Sequence, residues 1–347
     1  MNLYIFLLLT GFVAKGMTSR SVCEKMTMTT ENPSQTVVSH FFLEGLRYTA
    51  KHPSLFFLLF LLIYSITMAG NLLILLTVGS GSHLSSPMYH FLGHLSFLDA
   101  CLSTVTVPKV MAGLLTPDGK VISFEGCAVQ LYCFHFLAST ECFLYTVMGY
   151  DRYLAICQPL HYPVAMNRRM CAEMAGITGA IGATHAAIHT SLTFRLPYCG
   201  PCHIAYFFCD IPPVLKLACT DTAINELVML ASIGIVAAVC LILIVISYIF
   251  ITAAVLRIRT AQGRQRAFST CTADLTVVLL YYVPPVCIYL QPRSSEAGAG
   301  APAVFYTIVT PMLNPFIYTL RNKEVKQALQ RLLCSSFRES TAGSPPP

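Results

Sequence analysis

The sequence predicts an all-α membrane protein, a seven-transmembrane helix bundle with a short amphipathic eighth helix. Seven separate apolar runs are each long enough to cross a bilayer, and most are nearly free of charge. Composition points the same way, because 347 residues with 55% hydrophobic and 11% charged side chains would expose large apolar surfaces as a water-soluble domain. Lys and Arg also concentrate in alternate loops, as short cytoplasmic loops require.

A helix needs ~20 mostly apolar residues to cross ~30 Å of hydrocarbon. The runs that satisfy this are 55–78, 88–107, 126–156, 170–193, 226–256, 267–290 and 301–320. They divide the chain into an extracellular amino-terminal segment 1–53, a seven-transmembrane bundle 54–320 and a cytoplasmic amphipathic helix and tail 321–347. No room remains for a separate soluble domain. Within 1–25, the apolar run 3–14 is too short to span and has no Lys or Arg before it, so it reads either as a targeting segment or as an upstream extension. Met17, Met26 and Met28 are alternative starts.

The cytoplasmic set of loops holds Arg152, Arg168 and Arg169, then Arg257, Arg259, Arg264 and Arg266, then Arg321, Lys323, Lys326, Arg331 and Arg338. The opposite loops hold only Lys109, Lys120, Arg195, Lys216 and Arg293, which puts the amino terminus outside. The net charge of +6 therefore reads as topology and not as a nucleic-acid footprint. After the last span, Val325, Ala328, Leu329 and Leu332 recur at helical spacing opposite Lys323, Lys326 and Arg331. That pattern predicts a helix lying on membrane lipid, with Cys334 placed for lipidation.

Fifteen cysteines divide by compartment. Cys127, Cys199, Cys202, Cys209 and Cys219 fall outside, where disulfides persist and at least one of five must stay unpaired. Cys101, Cys133, Cys142, Cys240, Cys271 and Cys287 sit in apolar runs and read as small hydrophobes. His185 and His189, one turn apart, could hold a metal with Cys202 or Glu226, but two histidines alone favour ordinary helix packing, and no metal site or cofactor is expected.

Four motifs in order carry a family resemblance across residues 40–338: Met148-Gly149-Tyr150-Asp151-Arg152-Tyr153-Leu154-Ala155-Ile156-Cys157, Pro87-Met88-Tyr89, Arg266-Ala267-Phe268-Ser269-Thr270-Cys271 and Pro311-Met312-Leu313-Asn314-Pro315-Phe316-Ile317-Tyr318. The chain resembles a vertebrate olfactory receptor, a rhodopsin-like G-protein-coupled receptor. With Gly70-Asn71 and the run from Leu95 to Asp99, it is most similar to tetrapod class II, family 10. The resemblance implies a plasma-membrane receptor that binds a small volatile odorant and activates the heterotrimeric olfactory stimulatory G protein, raising cyclic AMP.

Residue by residue, it implies that Asp151, Arg152 and Tyr153 meet the G protein, with Tyr248, Asn314, Pro315 and Tyr318 rearranging as span six opens a cavity. It implies a ligand pocket lined by Phe134, His135, Ala138, Ser139, Ser232, Val236, Tyr282, Tyr289 and Thr307; helix packing is the plainer role for each. It implies disulfides Cys127–Cys209 and Cys199–Cys219. Asp99 and Asn314 lie deep in apolar spans, where an ionisable group marks function; with Asn71 and Glu141 they form either a sodium site or a neutral hydrogen-bonded core. A pocket without a fixed charge implies an apolar ligand. At about 0.3 kcal/mol per heavy atom, roughly 15 atoms bind with a sub-millimolar dissociation constant.

Departures from the family pattern fall at Gly179 in place of Trp, Gly149 in place of Ala, and Asp274 and Ser85 each in place of His. The glycosylation signal is missing, since Asn32-Pro33-Ser34 carries proline at its middle position. An enzyme is not expected, because no H-E-x-x-H, P-loop or G-x-S-x-G constellation is present. A transporter would show internal repeats. A receptor for amines or peptides would carry an acidic residue in the outer pocket, where span three offers His135.

Overall fold

The computed structural model describes residues 38–80, 86–199, 202–289 and 300–321. They form seven long helices. α1 is Pro53–Ser80, α2 Pro87–Leu115, α3 Phe124–Cys157, α4 Arg168–Phe194, α5 Ala223–Leu256 and α6 Ala261–Tyr289. α7 runs through Gly300–Val304, a π turn Phe305–Val309 and Thr310–Arg321. Several outrun the apolar stretches that announce them: α2 continues to Leu115 through Pro108, and α6 begins at Ala261. Hydropathy marks the hydrocarbon-deep part of a helix, whereas the backbone ladder carries on into interfacial residues.

Among the described residues four helices, Pro53–Gly79, Pro87–Leu115, Phe124–Cys157 and Ala223–Leu256, are by themselves long and apolar enough to cross a membrane. α4 is less apolar, opening on Arg168 and Arg169 and carrying Glu173, His185 and His189. Burial ranks the four by position: 67% and 61% of the apolar windows of α2 and α3 are buried, against 22% for α1 and 17% for α5. α3 is accordingly the central helix, packed against α2, α4 and α5, and α7 closes the ring against α1, α2 and α6. The outward apolar faces of α1 and α5, Leu58, Leu62, Ile235 and Ile242 among them, are suited to lipid.

Close approaches are made by small residues, as is usual where helices lack a hydrophobic drive to associate in lipid. A Cβ on Gly182 of α4 would collide with the Thr140 hydroxyl of α3 and lie 3.1 Å from the Phe136 carbonyl oxygen. On Gly70 of α1 it would come 3.0 Å from the Pro315 ring in α7. Pro315 also removes the donor for its own Pro311 carbonyl, and Asn71, next to Gly70, donates its amide to that oxygen at 3.1 Å. The pair Gly70-Asn71 thus both admits the kinked helix and partners the group the kink frees.

One end of the bundle carries a three-stranded sheet. β1 (His40–Leu43) lies between β2 (Val121–Ser123), antiparallel to it, and β3 (His203–Ile204), parallel to it. Alternation explains the strand: Phe41 and Leu43 point inward and are buried, while Phe42 faces the Lys120 ammonium, 5.8 Å from its ring centre. Phe41 stacks on Phe124 at 5.8 Å and meets Tyr198 edge-on at 5.7 Å. Gly45, at φ +82°, turns the chain out of β1, and its amide donates to the Tyr206 carbonyl at 3.1 Å.

Packing sorts the glycines of α4 by what a side chain would meet. Gly182→Leu should lower stability by at least about 1–3 kcal/mol through overpacking against α3. Gly179→Ala, with no atom within 4 Å of its Cβ, should keep or raise stability by about 0.5–1 kcal/mol through helix preference. Unfolding midpoints of the two variants in lipid nanodiscs check the contrast.

Candidate functional site

Beneath the sheet, the loop before α5 is drawn down onto the bundle. Cys209 is bonded to Cys127 at the start of α3, with Cα atoms 5.5 Å apart, and Cys199 to Cys219, with Cα atoms 5.7 Å apart. Cys202 takes part in neither of these two disulfides. Between the clamps Tyr206, Phe207 and Phe208 are buried, and Phe208 sits 4.7 Å from Phe134, whose ring is also 5.8 Å from Tyr306 of α7. Gln130 joins three parts: its amide donates to the Val105 carbonyl at 2.9 Å, beside the kink at Pro108, and its oxygen accepts from the Cys209 amide at 3.0 Å.

The pocket residues fall into place unequally. His135 meets the buried Asp210 carboxylate at 3.1 Å. Ser139 bonds His185 Nδ1 at 3.0 Å, and Ser232 bonds His189 Nε2 at 2.7 Å. The His185 and His189 rings lie 4.5 Å apart, so α3, α4 and α5 meet in one polar seam. Ala138 contributes its carbonyl, which accepts from the Tyr281 hydroxyl of α6. Tyr282 lies 3.0 Å from Cys142 Sγ and donates to the Cys142 carbonyl at 3.2 Å. Val236 is half-buried against the same core. Thr307 is buried with its hydroxyl turned back on the Ala303 carbonyl at 2.7 Å, which leaves its methyl as the group to offer. The Tyr289 side chain lies outside the described residues.

The loop also brings a carboxyl group, Asp210, against His135, which α3 alone could not reveal; its Oδ1 is engaged by His135 and accepts from the Ile211 amide at 2.8 Å. One nitrogen each of His185 and His189 serves Ser139 or Ser232, Glu226 accepts from Thr222 at 2.9 Å, and no cluster of three metal-ligating side chains occurs among the described residues.

Deeper, Asn314 donates its amide to both Asp99 oxygens, at 3.1 and 2.9 Å, and lies 3.3 Å from the Tyr145 hydroxyl. Glu141 shares a side-chain hydrogen bond with Asp99. Asn71, expected beside Asp99, instead donates to Thr67 and Pro311, because the kink in α7 needs it there. Four oxygens of this region, Asn71 Oδ1, Ser103 Oγ, Glu141 Oε1 and Asn314 Oδ1, are buried with no partner in the structure.

At the far end of α3, Asp151 is buried and accepts from the Tyr162 hydroxyl at 2.9 Å. Tyr162 belongs to the short helix Tyr162–Ala165. Its burial, reinforced by the neighbouring Asp151 carboxylate, pushes the phenol well above its ordinary range and keeps it a donor. Arg152 is half-buried beside Asp151. Tyr153 packs on Phe250 at 5.8 Å, and Tyr248 and Tyr318 are buried on α5 and α7. Cys334 and the expected eighth helix lie outside the described residues, as does the Asp274 side chain.

A central helix clamped to a loop at one end and carrying Asp-Arg-Tyr at the other is the pattern of a family whose model, described as olfactory receptor, matches residues 60–336. The chain is 95% identical to human olfactory receptor 10S1 over 331 residues, 95% of the chain and the full length of that receptor. It is 56% identical to human olfactory receptor 10G2, covering 87% of the chain and 98% of the relative, and 54% identical to human olfactory receptor 10G4, covering 85% and 95%. The chain belongs to the olfactory receptor family. It is a multi-pass membrane receptor of family 10, not an enzyme, and its seven helices are the seven-transmembrane bundle of that family.

Gln130 gave no sequence signal, yet the receptor's loop and its α2 kink both depend on it. Gln130→Leu should cost about 1–3 kcal/mol for the buried Cys209 amide left without its acceptor. Reduced surface delivery alongside a lowered unfolding midpoint, with Gln130→Glu losing less than Gln130→Leu, is the expected outcome.

Proposed function

We propose that this receptor binds a small volatile odorant among α3, α5, α6 and α7, and that binding activates the olfactory stimulatory G protein and raises cyclic AMP. The observation that carries the reading is the pair Tyr281 and Tyr282, whose hydroxyls bind α3 at Ala138 and Cys142, within a turn of the pocket residues. α6 is thereby held to α3 by contacts that a ligand beside them can strengthen or break. A ligand shifts the receptor between two arrangements only by binding one of them better, and these bonds are where a difference can arise. Phe134, His135, Ala138, Ser139, Ser232, Val236, Tyr282, Tyr289 and Thr307 line the site in this reading. At the other end Asp151, Arg152 and Tyr153 receive the G protein, with Tyr248, Asn314, Pro315 and Tyr318 as the switch. The receptor then sits in the plasma membrane with its amino terminus outside, its carboxy terminus in the cytoplasm, and Cys334 as the lipidated anchor of the tail.

The Asp99 region supports a second element of the same reading. Two carboxyl groups, two amide oxygens and a hydroxyl suit a hard monovalent cation such as sodium, and four buried oxygens without partners are groups such an ion would satisfy. Asp99 and Glu141 would hold it, Asn71, Ser103 and Asn314 completing the shell. The ion would supply the positive charge that lets both carboxylates ionise in a dry interior.

A cyclic-AMP reporter screened against an odorant panel tests the main reading. Arg152→Ala should abolish the response while surface expression persists, and Cys209→Ser should reduce delivery. Tyr282→Phe, which removes about 0.5–1.5 kcal/mol of α6–α3 bonding, should shift the basal-to-stimulated ratio roughly two- to tenfold. Full responses from both Arg152→Ala and Cys209→Ser would overturn it.

Replacing sodium by choline should raise basal signalling of the wild type. Glu141→Gln should be insensitive to that exchange, and equal sodium sensitivity in Glu141→Gln would remove the cation from the account.

A further inference from the structure

Near the Arg152 end of α2, far from the pocket, two histidines share one face. His90 and His94 are four residues apart, which on an α-helix puts them one turn apart on the same side. Their Nε2 atoms approach to 3.2 Å while the ring centres remain 4.6 Å apart. The two nitrogens are therefore nearer than the rings that carry them, so the Nε2 edges lean toward a common point. The rings are inclined at 76° and both residues are half-buried, each keeping a solvent- or headgroup-facing side.

From this geometry we infer a binding site for a divalent transition-metal ion, Zn2+ or Cu2+, held by the Nε2 atoms of His90 and His94. Imidazole nitrogens ligate these ions at about 2.0–2.1 Å. Two such bonds spanning 3.2 Å close at an N–metal–N angle of about 100°, between tetrahedral and square or octahedral values. Without metal, one ring donates its Nε2 hydrogen to the other's lone pair. On binding, the donating ring carries its hydrogen on Nδ1 instead, and both Nε2 lone pairs turn to the ion. No net proton is released from two neutral rings. The helix fixes the spacing, so binding need not order a loop.

The remaining coordination positions belong to water, since no group of three metal-ligating side chains is found among the described residues. Imidazole donors select Cu2+ and Zn2+ over the hard cations Mg2+ and Ca2+. The other close histidine pair differs in the feature that matters: His185 and His189 each commit a ring nitrogen to a serine, as His90 and His94 do not.

The test uses the full-length receptor in lipid nanodiscs with one equivalent of Cu2+, read by electron-spin-echo modulation, which distinguishes two equatorial imidazoles from one. The chain has ten histidines, so variants assign the signal. Wild type and His185→Ala should show two imidazoles on the ion. His94→Asn and His90→Gln should each lose one and weaken Cu2+ binding by at least about tenfold, because either change breaks the chelate. Zn2+ should raise the thermal midpoint of wild type and of His185→Ala, with Mg2+ having no effect. Should one variant fail to fold, the other reads the same chelate. Unchanged Cu2+ affinity and an unchanged two-imidazole signal in either His90→Gln or His94→Asn would overturn the assignment, as would loss of the wild-type signal in His185→Ala.

Discussion

In hydrocarbon, a buried carbonyl or amide without a partner costs several kcal/mol, and the bundle is arranged around meeting that constraint. Prolines inside α2 and α7 create the most demanding cases. Asn71 answers one by donating to Pro311 O, at the level where Gly70 lets α1 approach Pro315. Pro108 frees the Thr104 carbonyl in the same way; Gln130 donates one residue further on, to Val105 O, and its side-chain oxygen holds the Cys209 amide. A single side chain therefore couples the kink in α2, the start of α3 and the loop that covers the pocket. The disulfide from Cys127 to Cys209 fixes this loop covalently; Gln130 fixes its orientation.

The same constraint explains why polar residues in the pocket occur as pairs. His135 with Asp210, Ser139 with His185, and Ser232 with His189 each satisfy one another between different segments. Beside this seam stand the apolar rings of Phe134, Phe208 and Tyr306, and its polar groups are already engaged. Buried His185 Nε2 is the exception, a ring nitrogen with no partner in the structure. Discrimination by hydrogen bonding is strongest where a site's own polar group would otherwise stay unpaired, so under the proposed reading this nitrogen would favour ligands with a polar head over plain hydrocarbons.

Much of this was legible from the residues. Apolar runs located all seven helices, since a helix is what satisfies a backbone in lipid, and the motifs around Arg152 and Asn314 located the family. Helix ends were less legible, because interfacial turns such as Ala261–Arg266 are polar while remaining helical. β1 was not foreseen: four residues between the amino terminus and α1 form a strand only because β2 and β3 supply edges, a contact no local pattern encodes. Asp210 and Gln130 were missed for a related reason. Their roles depend on the loop folding back over α3, and their nearest signal was adjacency to Cys209 and Cys127. His90 and His94 stood at ligand spacing in plain view, but only the convergence of their nitrogens separates them from any other pair one turn apart.

The functional groups of α3 finally explain how one helix can serve both ends of the molecule. His135, Ser139, Cys142, Tyr145, Gly149 and Arg152 follow one another at steps of three or four, a single stripe along the helix. Along it, α3 meets Asp210 from the loop, His185 from α4, Tyr282 from α6, Asn314 from α7 and Ile244 from α5 in turn. At 1.5 Å per residue the stripe is about 25 Å long, nearly the thickness of the hydrocarbon core. α6 touches it at Cys142 through Tyr282 and at Tyr145 through Tyr281, between the Asp210 contact above and the Tyr162–Asp151 contact below. At Gly149 a Cβ would lie 3.7 Å from Ile244, an ordinary contact, so the missing methyl loosens the stripe between the polar core and Arg152. Under the proposed signalling reading, a looser joint there would bear on coupling and not on ligand recognition, because Gly149 lies between the polar core and Arg152.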